Sequence, residues 1–283
     1  MALENFIPEI WSANLLSNLN KELVYGDSSL TNTDYEGEIK QAGDTVNINS
    51  IGRITIGNYT KNTNIGDPET LTDSQKKLVI DQQKFFNFQV DDVDKAQQTP
   101  KVMAEAMKEA AYGLADVKDQ FIAGLHTGAA AANLIGNDTT PVVLDTPTKV
   151  YDYLVDLGVL LDEANIPSEG REAVLPSWAH GLLLKDDRFI KGAQGEGVLR
   201  KGQVGEAAGI GIRKSNNVPN VAGAKYKIQI SHRMARSFAA QIVSTEAYRP
   251  EKRFGDAVKG LSVYGAKLVR PEALAVITAN RSA

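Results

Sequence analysis

The apolar residues along the chain fall into two periods. In DTVNINSIGRITIG (44–57), Val46 and Ile48 alternate with Thr45, Asn47 and Asn49, and Ile54 and Ile56 resume the alternation. A period of two predicts a strand with one buried face. A second run, KKLVIDQQKFFNFQVDD (76–92), sets Phe86, Phe88 and Val90 on one face. Between the runs lies NYTKNTNIGDPETLTDSQ, which is almost free of apolar residues. The simplest expectation is a long antiparallel hairpin with a polar tip. A two-stranded ribbon on its own is marginal in water, and a polar connection of about twenty residues is uncommon in a compact domain. Its cover must come from elsewhere in the chain or from a neighbouring subunit.

The other period is helical. Met103, Ala106, Met107, Ala110, Leu114, Val117, Phe121 and Leu125 recur in steps of three and four, predicting a helix over 99–127 with Thr99 as N-cap, Pro100 in the first turn and one apolar stripe. Val150, Leu154, Leu157 and Leu161 step 4, 3, 4 and predict a second helix over 147–164. A third pattern, Ile10, Trp11, Leu15, Leu19 and Leu23, marks a short amphipathic helix in 5–25 that needs something to pack on. Strands are expected at 172–176, 209–214, 225–231, 237–246, 260–269 and 272–279, with a helical turn at 177–188 and an irregular glycine-rich stretch at 189–205. Helices and strands mix without strict alternation, which indicates an α+β fold.

Composition narrows the function. The chain has 283 residues, 42% hydrophobic and 23% charged, which fits one or two globular domains. Net charge is −4 and no cluster of Lys and Arg stands out, so a protein that grips nucleic-acid phosphates is disfavoured. The absence of cysteine excludes disulfides, thiolate nucleophiles and cysteine zinc sites. No segment reads as a signal peptide or membrane span. In KGQVGEAAGIGIRK (201–214) the glycines fit neither a P-loop nor a dinucleotide fingerprint, so their expected role is backbone geometry. His126, His180 and His232 share no metal-ligand spacing. His126, at the end of the long helix, is placed to cap it as a cation at the negative dipole end. Asp91, Asp92 and Asp94 lack the glycine and spacing of a calcium loop, and Asp186 with Asp187 predicts a solvated turn. No catalytic, metal or cofactor constellation emerges. Phe6, Ile7 and Trp11 form an apolar cluster that docks on the chain's own core or on a neighbouring chain.

Taken in order, four stretches resemble the major capsid (coat) proteins of tailed bacteriophages, whose Johnson fold is shared with herpesvirus capsids. They are FIPEIWSANLLSNL (6–19), DYEGEIKQAGDTVNINSIG (34–52), VLRKGQVGEAAGIGIRKSNNVP (198–219) and VYGAKLVRPEALAVIT (263–278), the last like that fold's closing strand pair. The resemblance covers nearly the whole chain. It implies an N-terminal arm (1–32), an extended loop made by the hairpin (33–92), a peripheral domain (93–144 and 246–283) with its spine helix at 99–127, and an axial domain (145–245). It implies hexamers and pentamers closing an icosahedral shell around double-stranded DNA, assembled in the host cytoplasm and carried in the virion. Subunit contacts would fall on Phe6, Ile7, Trp11, Arg53, Tyr59, Lys61, Asp67, Glu69 and Arg213. Arg213 is either solvated or paired with acidic groups of a neighbour. A portal, a possible decoration protein and, since no long charged helical segment precedes residue 5, a separate scaffolding protein are implied partners. Lys61 is placed for the isopeptide crosslink of some relatives, but no matching asparagine motif or acidic residue accompanies it. The alternatives are an encapsulin-like compartment shell, an α+β enzyme, which should show a pocket of converging charges, and an adhesin, which should show β-rich repeats.

Overall fold

A computed structural model of the chain describes residues 24–34, 45–51, 56, 58–62, 64, 73–91, 102–190, 205–252 and 254–281. Strands β1 (Thr45–Ile51) and β2 (Asp73–Val79) pair antiparallel, with Val46 opposite Leu78. The alternation expected in β1 is present, since Val46 and Ile48 are buried and Thr45 and Asn47 are exposed. The hairpin, however, stops at Val79. The chain turns at Ile80 and Asp81, and β3 (Gln82–Asp91) joins a different sheet, pairing antiparallel with β12 (Gly255–Leu268), which pairs in turn with β11 (Arg236–Tyr248). Phe86 and Phe88 therefore belong to this three-stranded sheet and not to the hairpin. The apolar positions Leu78, Ile80, Phe86, Phe88 and Val90 keep one parity across the polar residues 81–84, which hides the break.

The larger sheet has eight strands in the order β4-β13-β10-β6-β8-β7, with β5 and β9 as side pairs. These are β4 (Leu134–Ile135), β5 (Val142–Val143), β6 (Arg171–Leu175), β7 (Glu206–Ala207), β8 (Ile210–Lys214), β9 (Asn220–Val221), β10 (Lys225–His232) and β13 (Leu274–Asn280). The two closing strands do not pair with each other. A 3₁₀ turn at Pro271–Ala273 redirects the chain, β12 stays in the small sheet, and β13 inserts between β4 and β10. Leu274 to Ala279 are buried without alternation, as suits an interior strand covered on both faces.

Helix α2 (Pro147–Glu163) buries Val150, Leu154, Leu157 and Leu161, the four residues its spacing singles out, against Ile210, Ile228, Ile230 and Ile277 of the large sheet. Each such side chain contributes about 1.5–3 kcal/mol. Two shorter helices, α3 (Ser177–Leu183) and α4 (Asp187–Ile190), follow. Asp186 is not in a solvated turn. It is buried, and its carboxylate accepts from the backbone N–H and the guanidinium of Arg188, which reaches on to Asp152 of α2.

The long helix α1 (Val102–Gly124) continues into a 3₁₀ turn at Leu125–Gly128. Its expected caps, Thr99 and Pro100, lie outside the described residues. Its buried face is rotated from the expected one, comprising Ala111, Leu114, Ala115, Lys118, Asp119, Ile122 and Ala123, with Val117 exposed. The first half packs on Phe86 of the small sheet, and Phe121 stands edge-on to Tyr264 with centroids 5.5 Å apart. The end lies on the face of the large sheet opposite α2, where Gln229 Nε2 donates to the Ala123 carbonyl at 2.9 Å. His126 Nδ1 meets the same carbonyl, 3.1 Å away. Burial pushes the His126 pKa down, so its ring caps the helix as a neutral hydrogen-bonding group, not as the expected cation.

Two glycine sites set the backbone. Ala208 and Gly209 both take positive φ (53° and 72°) in the two-residue turn joining β7 to β8, the turn that suits a tight hairpin. The 201–214 glycines thus include one whose role is turn geometry, as expected. At Gly265 in β12 an added Cβ would sit 2.3 Å from the Val79 carbonyl oxygen, because the root of the β1–β2 hairpin crosses there backbone over backbone. Leu78 and Ile80 pack on Ala239 and Val263 beside the crossing, and Lys76 Nζ donates to the Val269 carbonyl at 2.6 Å.

Gly265→Ala is expected to destabilise the subunit by about 1–3 kcal/mol through this overpacking. Gly113→Ala, on the open face of α1 where a Cβ meets nothing within 4 Å, is expected to stabilise by about 0.5–1 kcal/mol. Denaturant midpoints of the two variants check the pair of signs.

Candidate functional site

Three surfaces concentrate the unusual features. The first is the hairpin beyond its root. Ile56, Tyr59 and Lys61 are all exposed, Ile56 at 94% and Tyr59 at 72%. The hairpin is gripped at its base, and the described residues beyond it face solvent.

The second is the outer face of the small sheet. Cross-strand register puts Phe85, Leu261 and Ser244 in one row, Asn87, Lys259 and Glu246 in the next, and Gln89, Ala257 and Tyr248 in a third. The hairpin root covers only the end of this face near Val263 and Ala239. Phe85 is left 77% exposed, and Phe254, just before β12, 83%. Lys259 pairs with Glu246 at 2.9 Å and sits over the Tyr248 ring, whose hydroxyl donates to Asn87 Oδ1. These contacts draw the Tyr248 ring along the sheet toward Asn87, leaving an open face with exposed Phe85 and Tyr248 and the Lys259–Glu246 pair between their rows.

The third lies where α1 passes from the small sheet to the large one, and residues 24–34 seal it. Asp119 Oδ1 accepts the backbone N–H groups of Val24 (2.9 Å), Tyr25 (2.6 Å) and Gly26 (3.4 Å), and Asn217 donates to Oδ2. Burial pushes the Asp119 pKa up, and these donors act against it. Tyr25 and Leu30 are fully buried in one cluster with Ile122, Val174, Phe238 and Tyr264. Arg213 on β8 binds Glu172 on β6, Asp27 (3.0 Å) and Ser29 Oγ (2.9 Å). Gly211, opposite Glu172 in the sheet, leaves room for that carboxylate. Asn32 exchanges backbone hydrogen bonds with Arg236 and Phe238, forming a parallel bridge to β11. Beneath Tyr25 lies Arg236, wholly buried, with its guanidinium 5.6 Å from the ring centroid and one donor on Gln229. Burial pushes its pKa down to about 10.

Of the expected contact residues, Phe6, Ile7, Trp11, Arg53, Asp67 and Glu69 lie outside the described residues. Tyr59 and Lys61 are solvent-facing, and Arg213 finds its acidic partners in its own chain. Lys118, Asp119 and Arg236 escape sequence reasoning because buried charges carry no hydrophobic signature. One available signal is that Lys118 and Asp119 stand four residues from both Leu114–Ala115 and Ile122–Ala123, inside a face that is otherwise apolar. Among the described residues no cluster of His, Asp and Glu could hold a metal ion, and no helix is long and apolar enough to cross a membrane.

Comparison with known proteins places this geometry. A sequence model described as phage capsid protein matches residues 75–277. A structure from Mycobacterium phage Che8 is similar at 27% identity over 98% of both chains, with a TM-score of 0.71. The capsid of cyanophage P-SCSP1u is similar at 18% identity, covering 92% of this chain and 89% of that one, with a TM-score of 0.71. The holo-SrpI encapsulin complex from Synechococcus elongatus shares the fold at 13% identity, covering 86% and 84%, with a TM-score of 0.55. No curated protein matches the sequence.

The Asp27 pair sets a pH dependence. Partial burial, the largest effect, pushes the Asp27 carboxyl up, but the Ser29 N–H and the Arg213 guanidinium outweigh it and hold the pKa below the ordinary value. A depressed folded-state value means the contribution is complete above the unfolded carboxylate range and is lost as pH falls through the folded value. Wild type is therefore expected to exceed Asp27→Asn in stability at about pH 7, with the gap closing toward about pH 2. Denaturation midpoints across that range, with both proteins measured side by side, test the sign.

Proposed function

The chain belongs to the phage capsid protein family and is a structural protein of a capsid shell; we propose that it builds that shell as rings of six and five, each hairpin lying across the next subunit's small sheet. The observation that carries this is the match, among the described residues, between a hairpin packed at its base and exposed at Ile56, Tyr59 and Lys61 and a sheet face that leaves Phe85 and Tyr248 exposed. Head-to-tail contacts of this kind close into rings when the rotation allows, and many modest interfaces in a closed shell hold together through multivalency.

Within this reading α1 and the small sheet form the peripheral unit and the large sheet with α2 the axial unit at the ring centre, which departs from the expected bounds: β3 leaves the extended loop and β11 the axial segment for the peripheral unit, while β4, β5 and β13 leave the peripheral segments for the axial unit. The contact residues at the hairpin end, Arg53, Tyr59, Lys61, Asp67 and Glu69, and in the arm, Phe6, Ile7 and Trp11, meet neighbouring subunits. A net charge of −4 supports a wall that encloses double-stranded DNA without gripping it. In this reading a scaffolding protein and a portal are its partners, with assembly in the host cytoplasm before the shell becomes part of the virion. Similarity to the Che8 chain at 27% identity over 98% of its length, against 13% for the encapsulin, supports a phage shell over a cargo compartment.

Removing residues 58–74 is expected to leave circular dichroism and the cooperative unfolding transition intact while abolishing shells in negative-stain micrographs, with the scaffolding protein co-expressed. Closed shells of normal size from the deletion variant would overturn the hairpin's role. A monodisperse globule from the intact chain, loaded with host enzyme or free of any shell, would overturn the capsid reading.

A further inference from the structure

Residues 24–34 touch every part of the junction through separate contacts. They hang on α1 by Asp119, on the large sheet by Arg213 and Glu172, and on the small sheet by the bridge from Asn32 to Ser237. No strand ladder joins the two sheets among the described residues. The junction depends on α1, on the chain passing from β10 to β11 and from β12 to β13, where the Val269 and Arg270 amides donate to the Ala235 carbonyl, and on this segment.

The seat under the segment is incompletely satisfied. Nε and Nη1 of Arg236 and the hydroxyl of Tyr25 are buried without a hydrogen-bond partner among the described residues. Arg236 is 0% exposed, and among the described residues its charge is met by the Tyr25 ring, by Gln229 and at a distance by Asp119. A buried charge and unmade hydrogen bonds oppose closure, and water reaching these atoms on opening would satisfy them. Burial of Tyr25 and Leu30, the three amides on Asp119 and the Arg213 pairs favour closure. Opposed contributions of this kind make a segment that is seated as a unit and released as a unit.

We propose that residues 24–34 are a releasable strap that fixes the angle between the two sheets, with Asp119 and Arg213 as its locks and Arg236 as the group that keeps it from locking permanently. With the strap open, the small sheet and the large sheet turn relative to one another about the end of α1. One sequence then adopts more than one curvature.

Hydrogen exchange followed by mass spectrometry on the purified full chain, whatever its state of assembly, tests this. Arg213→Gln and Asp119→Ala are each expected to raise exchange at least tenfold throughout 24–34. The amide of Phe238, which donates to Asn32, is expected to follow, while α2 and β13 stay as in wild type. Arg236→Met, which fills the seat without the charge, is expected to slow exchange of the strap, since replacing a poorly compensated buried charge by an apolar side chain is often stabilising. The proposal is overturned if exchange rises only beside the substituted contact, if it rises across the whole molecule, or if Arg236→Met speeds the strap. Because the readout is amide exchange within the subunit, the strap can fail while the shell-forming role stands, and the reverse.

Discussion

One helix serves two sheets, and the subunit is organised around that constraint. α1, about 35 Å long at 1.5 Å per residue, lies under the small sheet for its first half and against the large sheet at its end. At the crossing it cannot be covered by either sheet alone, and Asp119 is placed there. A carboxylate taken from water is tolerable only when its oxygens are occupied. The donors that occupy them come from the backbone of 24–26 and from Asn217, so burial of the helix end and seating of the segment are one event. Leu30 and Tyr25 then close the cluster around Phe238 and Tyr264.

The same division explains why the subunit carries features that do not help it alone. A ribbon seated by Leu78, Ile80 and the Gly265 crossing, then continuing into solvent, spends chain on a structure that a monomer cannot bury. The exposed Phe85 does likewise on the small sheet. Both are explained by contact with further copies, where each interface contributes modestly and closure multiplies it. Stability of the fold itself rests elsewhere, on α2 against the large sheet, where the cluster around Leu154, Leu157 and Ile230 shares no residue with these open surfaces.

Much of the architecture is legible in the sequence wherever packing follows a single period. α2 is the clearest case, since its four spaced apolar residues face one sheet and nothing competes for the other side. β1 is another, and Gly209 sits in the turn that the failed phosphate spacings left as the remaining role. The illegible parts are those where one pattern serves two surroundings. Residues 76–92 read as a single strand because Leu78 and Ile80 share their parity with Phe86, Phe88 and Val90 across the polar residues 81–84, although β2 and β3 belong to different sheets. β12 and β13 are expected as a pair from the resemblance alone, although the Pro271 turn sends β13 into the large sheet. Arg213 reads as solvated or as paired with a neighbour's acidic groups because its partners in its own chain, Asp27 and Glu172, lie 186 and 41 residues away.

The rotation of α1's buried face has a physical reason that also bears on specificity. An apolar stripe of Met107, Leu114, Val117 and Phe121 would let the helix settle at several rotations against a sheet, because hydrophobic contact is non-directional. Hydrogen bonds are not so tolerant. With Asp119 facing three amides, Gln229 on the Ala123 carbonyl and Lys118 over the Tyr264 ring, only one rotation and one axial position satisfy all of them at once. Val117 is exposed as the consequence. The helix gives up an apolar contact to place its polar groups, and in doing so it fixes the geometry on which both sheets are hung.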